Sequence, residues 1–307
     1  YCNDICSDGV RRCNFHSRTQ EHCFSQKAIM NNATEEEPQP VYAALFGCIM
    51  ALGLPLNAVS LWILLRHHSL KSPNTVFMVN LAISDLLLII SLPMRVYFYA
   101  TGNWPFSSTV CNSIQRLFYA NIRSSSIFIT FISVDRLLAV VYPLRSRHLR
   151  TTTNAWKGAG FTWLILLVTS ISVTVTLPGR QQNNHTCFVP HDTNDTDPEI
   201  SPAAYLDPVV MSILLAVNIV CTAMVLWTLR SHLSDSAKIK NKMNVMLIFV
   251  LNLAIFTICF LPVSIGMAAV RDNLPMTCLS AANCCLDPLL YYFSFDAFWK
   301  KKDVEPS

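Results

Sequence analysis

Seven stretches of this chain are apolar for long enough to cross a bilayer as helices: roughly residues 41–65, 75–100, 111–141, 156–178, 203–229, 243–270 and 273–293. A span needs about 20 residues, because a helix rises about 1.5 Å per residue and the hydrocarbon core is about 30 Å thick. No alternating strand pattern competes with this reading. In hydrocarbon every backbone N–H and C=O must be satisfied internally, so the expected fold is an all-α membrane protein, a seven-transmembrane helix bundle. Composition agrees: 52% of residues are hydrophobic and only 14% are charged, against about 25% charged in a soluble domain. The net charge of +4 comes from basic residues in short clusters between apolar runs. That pattern fits membrane lipids rather than nucleic acid as a partner.

The basic clusters give an orientation. Arg66 and Lys71 follow segment one; Arg145, Arg147, Arg150 and Lys157 follow segment three; Arg230, Lys238, Lys240 and Lys242 follow segment five. Acids such as Asp192, Asp195, Asp197 and Glu199 gather on the alternate side. The positive-inside rule then puts the N-terminus outside the cell and the C-terminus inside, as expected for a multi-pass plasma-membrane protein. The glycosylation sequons at Asn32, Asn184 and Asn194 all fall on segments placed outside.

Three regions follow: an extracellular cysteine-rich tail over 1–40, the seven-span domain over 41–293, and 294–307. In the last, Phe295, Phe298 and Trp299 recur at helical spacing before Lys300-Lys301-Lys302. This predicts a short amphipathic C-terminal helix in the inner interface, at the start of a cytoplasmic tail. The first 40 residues hold no apolar leader, so no signal peptide is expected there. Only Arg271-Asp272 separates segments six and seven, a very tight turn for two full spans. The 12 cysteines lack zinc-ligand spacing, so no metal is expected from them. No nucleophile–base set is visible either, which argues against an enzyme.

Charges inside the spans need reasons, since each costs at least about 2.5–3.5 kcal/mol at the helix centre. Segment two carries Asp85 and Arg95, with Tyr99 one turn beyond the arginine. Segment three carries Arg116 and Arg123, seven residues apart on one face, with Tyr119 between them, and ends at Asp135-Arg136 before Pro143-Leu144. Segment seven carries Asp287. The guanidiniums with nearby Tyr97, Tyr99 and Tyr119 point to an anion site, because arginine forks match phosphate or carboxylate oxygens. Snorkelling of Arg116 and Arg95 to headgroups, or an internal pair for Arg123, stays open. Asp85, Asn121, Ser125, Asn283 and Asp287 could hold Na⁺ or share a proton, or simply join helices as a neutral hydrogen-bonded cluster. Pro262 and Pro288 each remove a helix hydrogen bond and predict kinks.

Several short motifs occur in a telling order: Gly53-Leu54-Pro55-Leu56-Asn57, Asn80-Leu81-Ala82-Ile83-Ser84-Asp85, Asp135-Arg136-Leu137, Trp163, Phe260-Leu261-Pro262 and Asp287-Pro288-Leu289-Leu290-Tyr291. Together they resemble the rhodopsin-like (class A) G-protein-coupled receptors. The resemblance implies a disulfide from Cys111 to Cys187, and activation kinks at Phe260, Pro262 and Pro288. It also implies an inner switch of Asp135, Arg136, Pro143, Leu144 and Tyr291, in which Asp135 holds Arg136 at rest. The partners it implies are a heterotrimeric G protein and arrestin, with no cofactor beyond an allosteric Na⁺. A local salt bridge, and a membrane-surface role for Arg145, Arg147 and Arg150, remain alternatives. The proline expected near Leu214 is absent.

The stretches SLPMRVYFYATGNWPF, VVYPLRSRHLR and ANCCLDPLLYYFS look most like the purinergic-receptor-like lysophosphatidic acid receptors, with the type 5 receptor nearest. In that branch an arginine matching Arg95 of Leu92-Pro93-Met94-Arg95 is associated with the phosphate. At Arg123 relatives usually carry tyrosine. The resemblance implies a receptor for an anionic lipid, lysophosphatidic acid or a related lysophospholipid, with Arg95, Tyr99, Arg116, Tyr119 and Arg123 as ligand residues. A nucleotide, a fatty acid or a protease-released tethered peptide are alternative ligands. A transporter or channel is a more distant reading, disfavoured by the lack of an internal repeat.

Overall fold

The computed structural model describes residues 38–67, 70, 72–176, 187–188, 206–231, 239–268 and 274–291. The tail cysteines, the sequons at Asn32, Asn184 and Asn194, the Arg271-Asp272 turn and the stretch 294–302 lie outside those residues. Among the described residues there are seven helical segments: α1 (Pro40–His67), α2 (Pro73–Thr101), α3 (Ser108–Val141), α4 (Thr152–Thr176), α5 (Leu206–Ser231), α6 and α7. Here α6 comprises Ile239–Ile255, a π turn at Phe256–Phe260 and Leu261–Ala268. α7 comprises Leu274–Ala281 and, after a turn at Ala282, helical residues 283–291.

Local chemistry sets the ends. α2 starts with Pro73, whose missing N–H costs nothing in a first turn. It stops at Gly102, whose left-handed backbone (φ 71°) lets its N–H reach the Phe98 carbonyl at 2.8 Å. α3 ends because Tyr142 precedes Pro143 and is pushed out of the helical region, to φ −126°, ψ 54°.

Among the described residues, five helices are long and apolar enough to cross a membrane by length and composition: Pro40–Arg66, Pro73–Thr101, Ser108–Val141, Pro208–Arg230 and Met246–Gly266. The break at Ala282 divides the seventh. The apolar surface lies outward: Trp227 is 76% and Ile90 68% exposed, as lipid-facing residues must be. Polar residues are turned inward instead, including Asn57, Asp85, Asn218 and Asp287.

α3 is the central post, packing on α2, α4, α5 and α6. Trp163 of α4 donates its indole N–H to Asn80 Oδ1 of α2 at 2.9 Å, which ties those two helices. The two predicted proline sites remove a helix donor with different results. Pro262 cannot donate to the carbonyl four residues back, and the preceding turn widens so that Leu261 N–H bonds to Phe256 O, five residues back. The rings of Phe256 and Phe260 meet edge to face at 5.6 Å inside that turn, both fully buried. In α7, Pro288 leaves the Cys284 carbonyl without its helical donor. Asn57 of α1 supplies one from its side chain at 2.6 Å, and also bonds Gly53 O at 3.0 Å. Gly53 permits this approach, because a Cβ there would meet Cys284 Sγ at 2.9 Å.

Candidate functional site

The buried face of α2 carries Leu88, Leu92, Arg95 and Tyr99 at three- and four-residue spacing, so the guanidinium is drawn into the bundle with the apolar stripe. Arg95 is only 2% exposed. Its Cζ lies 4.1 Å from the ring centre of Phe118 on α3, 4.3 Å from Phe188 and 6.0 Å from Phe46 on α1. The negative ring faces attract a cation removed from water. Tyr99, Tyr119 and Cys278 stand near the guanidinium. Yet Nε and Nη2 have no hydrogen-bond partner among the described residues. Their N–H bonds point along one edge, the geometry that grips two oxygens of a carboxylate or phosphate. Leaving such charged donors buried and unmet is costly, so the edge is poised for an anion.

The other predicted ligand residues divide. Tyr99 is buried and stacks on Phe46 at 5.6 Å. Tyr97, two positions from Arg95 and therefore on the far side of the helix, is 45% exposed and does not join the site. Arg116, Tyr119 and Arg123 are half-buried on α3, each with contacts of its own. Of the three arginines, only Arg95 is fully enclosed.

Cys111 at the start of α3 and Cys187 are joined, with Cα atoms 5.9 Å apart. This bond seats the next residue, Phe188, at Arg95. Phe188 has φ 64° and is the only non-glycine residue with positive φ among those described. A left-handed backbone costs a residue with a Cβ roughly 1–2 kcal/mol. Its ring also meets Phe98 at 5.5 Å and Trp104 at 5.6 Å, both edge-on.

Deeper in the bundle lies a polar nest. Asn121 donates to Ser84 at 3.0 Å and Ser125 at 3.3 Å, and Ser84 makes a short bond with Ser124. Ser125 donates to Asp85 Oδ1 at 3.3 Å, and Asn283 to Asp287 Oδ2 at 2.7 Å. Of the predicted cation or proton pocket, hydrogen bonds thus join Asp85 of α2 with Ser125 and, through it, Asn121 of α3, and join Asn283 with Asp287 within α7. Asp85 Oδ2, Asp287 Oδ1, Asn283 Oδ1 and the Tyr291 hydroxyl have no partner within it.

At the end of α3 away from the disulfide, Asp135 takes two bonds from Arg150, Nε to Oδ1 at 2.9 Å and Nη2 to Oδ2 at 3.2 Å, a partner the sequence reading did not name for it. Arg150 returns because residues after Pro143 wind back, with Arg150 N–H bonded to Ser146 O at 2.9 Å and Ser146 Oγ to Leu138 O at 3.0 Å. Arg136 is half-buried, with Nε lacking a partner among the described residues. Pro143 and Leu144 project outward, Leu144 at 90% exposure.

Three features escaped the sequence reading. Phe118 and Phe188 carried only the signal of neighbouring Arg116 and Cys187. Arg150 sat in a basic linker with no mark distinguishing it from Arg145 or Arg147. The third is a buried cluster across α3, α5 and α6. There Asn218 donates to Thr130 at 2.8 Å and Leu214 O at 2.9 Å, and accepts from Ser133 at 2.7 Å, while Asn252 donates to Ser133 and, at 3.3 Å, to Ile129 O.

The sequence is similar to those of known receptors. The chain is 35% identical over 298 residues to the lysophosphatidic acid receptor 6 of Gallus gallus, covering 87% of this chain and 95% of that one. It is 33% identical over 277 residues to the human lysophosphatidic acid receptor 4, covering 84% and 75%. The mouse lysophosphatidic acid receptor 5 matches at 32% over 283 residues, covering 84% and 76%. Type 6 thus stands nearer than type 5, a correction to the expected order. These relatives are receptors, not enzymes. The model of the rhodopsin family of seven-transmembrane receptors matches residues 56–291, and the chain belongs to that family.

Proposed function

We propose that this receptor binds an anionic lipid mediator, lysophosphatidic acid or a related lysophospholipid, and activates a heterotrimeric G protein. The observation that carries the reading is the Arg95 edge: two buried N–H donors without a partner among the described residues, in an otherwise aromatic surround. A phosphate monoester satisfies both donors at once, while the acyl chain takes the apolar space between helices. The names of the relatives support the same ligand class. Arg116, Tyr119 and Arg123 then serve further parts of the headgroup from α3.

With the N-terminus outside the plasma membrane, the disulfide end faces the ligand's source. The opposite end, with Asp135, Arg136, Pro143, Leu144 and Tyr291, meets the G protein and, after activation, arrestin. The nest at Asp85 and Asp287 fits a hard cation, which takes oxygen ligands, and we assign Na⁺ to it.

The test is a G-protein activation panel in cells expressing the receptor: lysophosphatidic acid, other lysolipids, free fatty acids and nucleotides, repeated with Arg95→Ala and Arg123→Ala. The expected result is a response to lysophosphatidic acid that Arg95→Ala abolishes at normal surface expression. Unchanged potency in both variants would falsify the anion site.

A further inference from the structure

We propose that Phe188 determines ligand specificity, its ring covering the Arg95 guanidinium so that an anion binds only in plane, along the Nε–Nη2 edge. The inference rests on the anion-site reading above and adds a residue and a selection rule to it.

Three independent features converge on Phe188. Its ring centre lies 4.3 Å from Arg95 Cζ, with Phe118 at 4.1 Å, so rings at stacking distance cover the carbon while Nε and Nη2 stay unpartnered. Its backbone has the left-handed φ of 64°, a conformation that glycine would adopt freely and phenylalanine adopts at a cost. Outliers of this kind persist where the surroundings over-determine them, often at ligand clamps. Here the surroundings are plain: the Cys111–Cys187 bond on one side, and the Phe98 and Trp104 rings at 5.5 and 5.6 Å on the other.

The consequence is chemical. A guanidinium open on its face is solvated there and takes anions from many directions. One covered by rings offers only its rim, where parallel N–H donors match two oxygens on one atom. Excluding water also strengthens the charge–charge attraction. The site therefore favours a terminal group with two coplanar free oxygens, a phosphate monoester or carboxylate. It disfavours a phosphodiester crowded by a substituent, such as a phosphocholine headgroup.

The experiment compares wild-type receptor with Phe188→Gly, Phe188→Leu and Phe188→Tyr, at matched surface expression, in G-protein activation by lysophosphatidic acid, oleic acid, ADP and lysophosphatidylcholine. Glycine keeps the backbone and removes the ring; leucine keeps apolar bulk without a ring face; tyrosine keeps the ring. For whichever anion activates the wild type, potency falls by roughly tenfold or more in the glycine and leucine variants and is retained with tyrosine. The preference for the monoester over lysophosphatidylcholine narrows in the same two variants. A purely structural role would weaken all ligands alike and leave that preference intact, which overturns the proposal. Unchanged anion potency in Phe188→Gly overturns it too, while leaving the lipid reading in place. A wild-type response to ADP alone sinks the lipid reading, and the ADP potencies then decide the role of Phe188. If the wild type answers no anion, both readings fall.

Discussion

The Asn57 side chain of α1 donates to the backbone carbonyl of Cys284 in α7 at 2.6 Å, replacing the donor that Pro288 lacks. An asparagine, a proline and the small Gly53 at the contact thus form one device, since the carbonyl would otherwise be buried without a partner. Asn57→Ala is expected to destabilise the receptor by about 1 kcal/mol or somewhat more. Pro288→Ala restores a helical N–H for the same carbonyl. The double variant should therefore lose less than the sum of the single losses, measured as thermal stability of purified receptor. Strict additivity would show that the two residues act separately.

Arg95→Lys tests the planar edge rather than the charge. A lysine ammonium is a compact, strongly hydrated charge that offers no parallel donor pair and stacks poorly between rings. Despite the conserved charge, potency of lysophosphatidic acid is expected to fall roughly tenfold to a hundredfold, the range of a charged hydrogen bond. A lysine variant that matches wild type would mean that a point charge is enough.

The Asp85–Asp287 nest predicts a salt effect that does not depend on any ligand. Thermal stability of purified receptor should be higher in sodium chloride than in choline chloride at equal ionic strength. Asp85→Asn removes a charged oxygen ligand and should abolish that difference. A sodium response that survives the substitution would place the ion elsewhere.

Much of this molecule was legible because a bilayer enforces simple rules. Apolar runs gave the spans, and the widened turn before Pro262 and the Cys284 carbonyl that Pro288 leaves to Asn57 followed from a missing N–H. The Cys111–Cys187 pairing came through the family resemblance and is present in the structure. What stayed hidden was partner choice over long separations. Asp135 has Arg136, Arg145, Arg147 and Arg150 nearby in sequence, and only the path of the chain after Pro143 selects Arg150. Phe188 was hidden for a similar reason, since the disulfide that positions it does not say where its ring points.

The Asp135–Arg150 pair is two-pronged, with Asp135 5% and Arg150 27% exposed. It fastens the segment after α3 to the end of that helix, beside the exposed Leu144 expected to meet the G protein. Arg150→Ala should free the segment and change basal G-protein turnover by about threefold to tenfold, corresponding to about 1 kcal/mol for a partly exposed pair. Reversing both charges, Asp135→Arg with Arg150→Asp, should recover part of the wild-type rate if the contact itself matters. Equal basal rates in wild type and Arg150→Ala would remove the pair from the switch.

The Thr130–Ser133–Asn218–Asn252 cluster stands where the expected α5 proline near Leu214 is missing. Asn218 bonds Leu214 O within its own helix and reaches α3 through Thr130 and Ser133, so side-chain hydrogen bonds join helices where a proline bulge was expected. Asn252 ties α6 to the same Ser133. Hydrogen bonds between membrane helices contribute about 0.6 kcal/mol on average and up to about 1.7. Asn218→Ala, which breaks two of them and leaves the Ser133 hydroxyl without its acceptor, is expected to cost about 2 kcal/mol in the thermal stability of purified receptor. Since α6 and α5 share Ser133, adding Asn252→Ala should cost less than it does alone. Movement of α6 away from α3 must break the Asn252 bonds, so Asn252→Leu should also raise signalling without ligand. Lower stability with unchanged basal signalling would make the cluster a fastening only, with no part in activation.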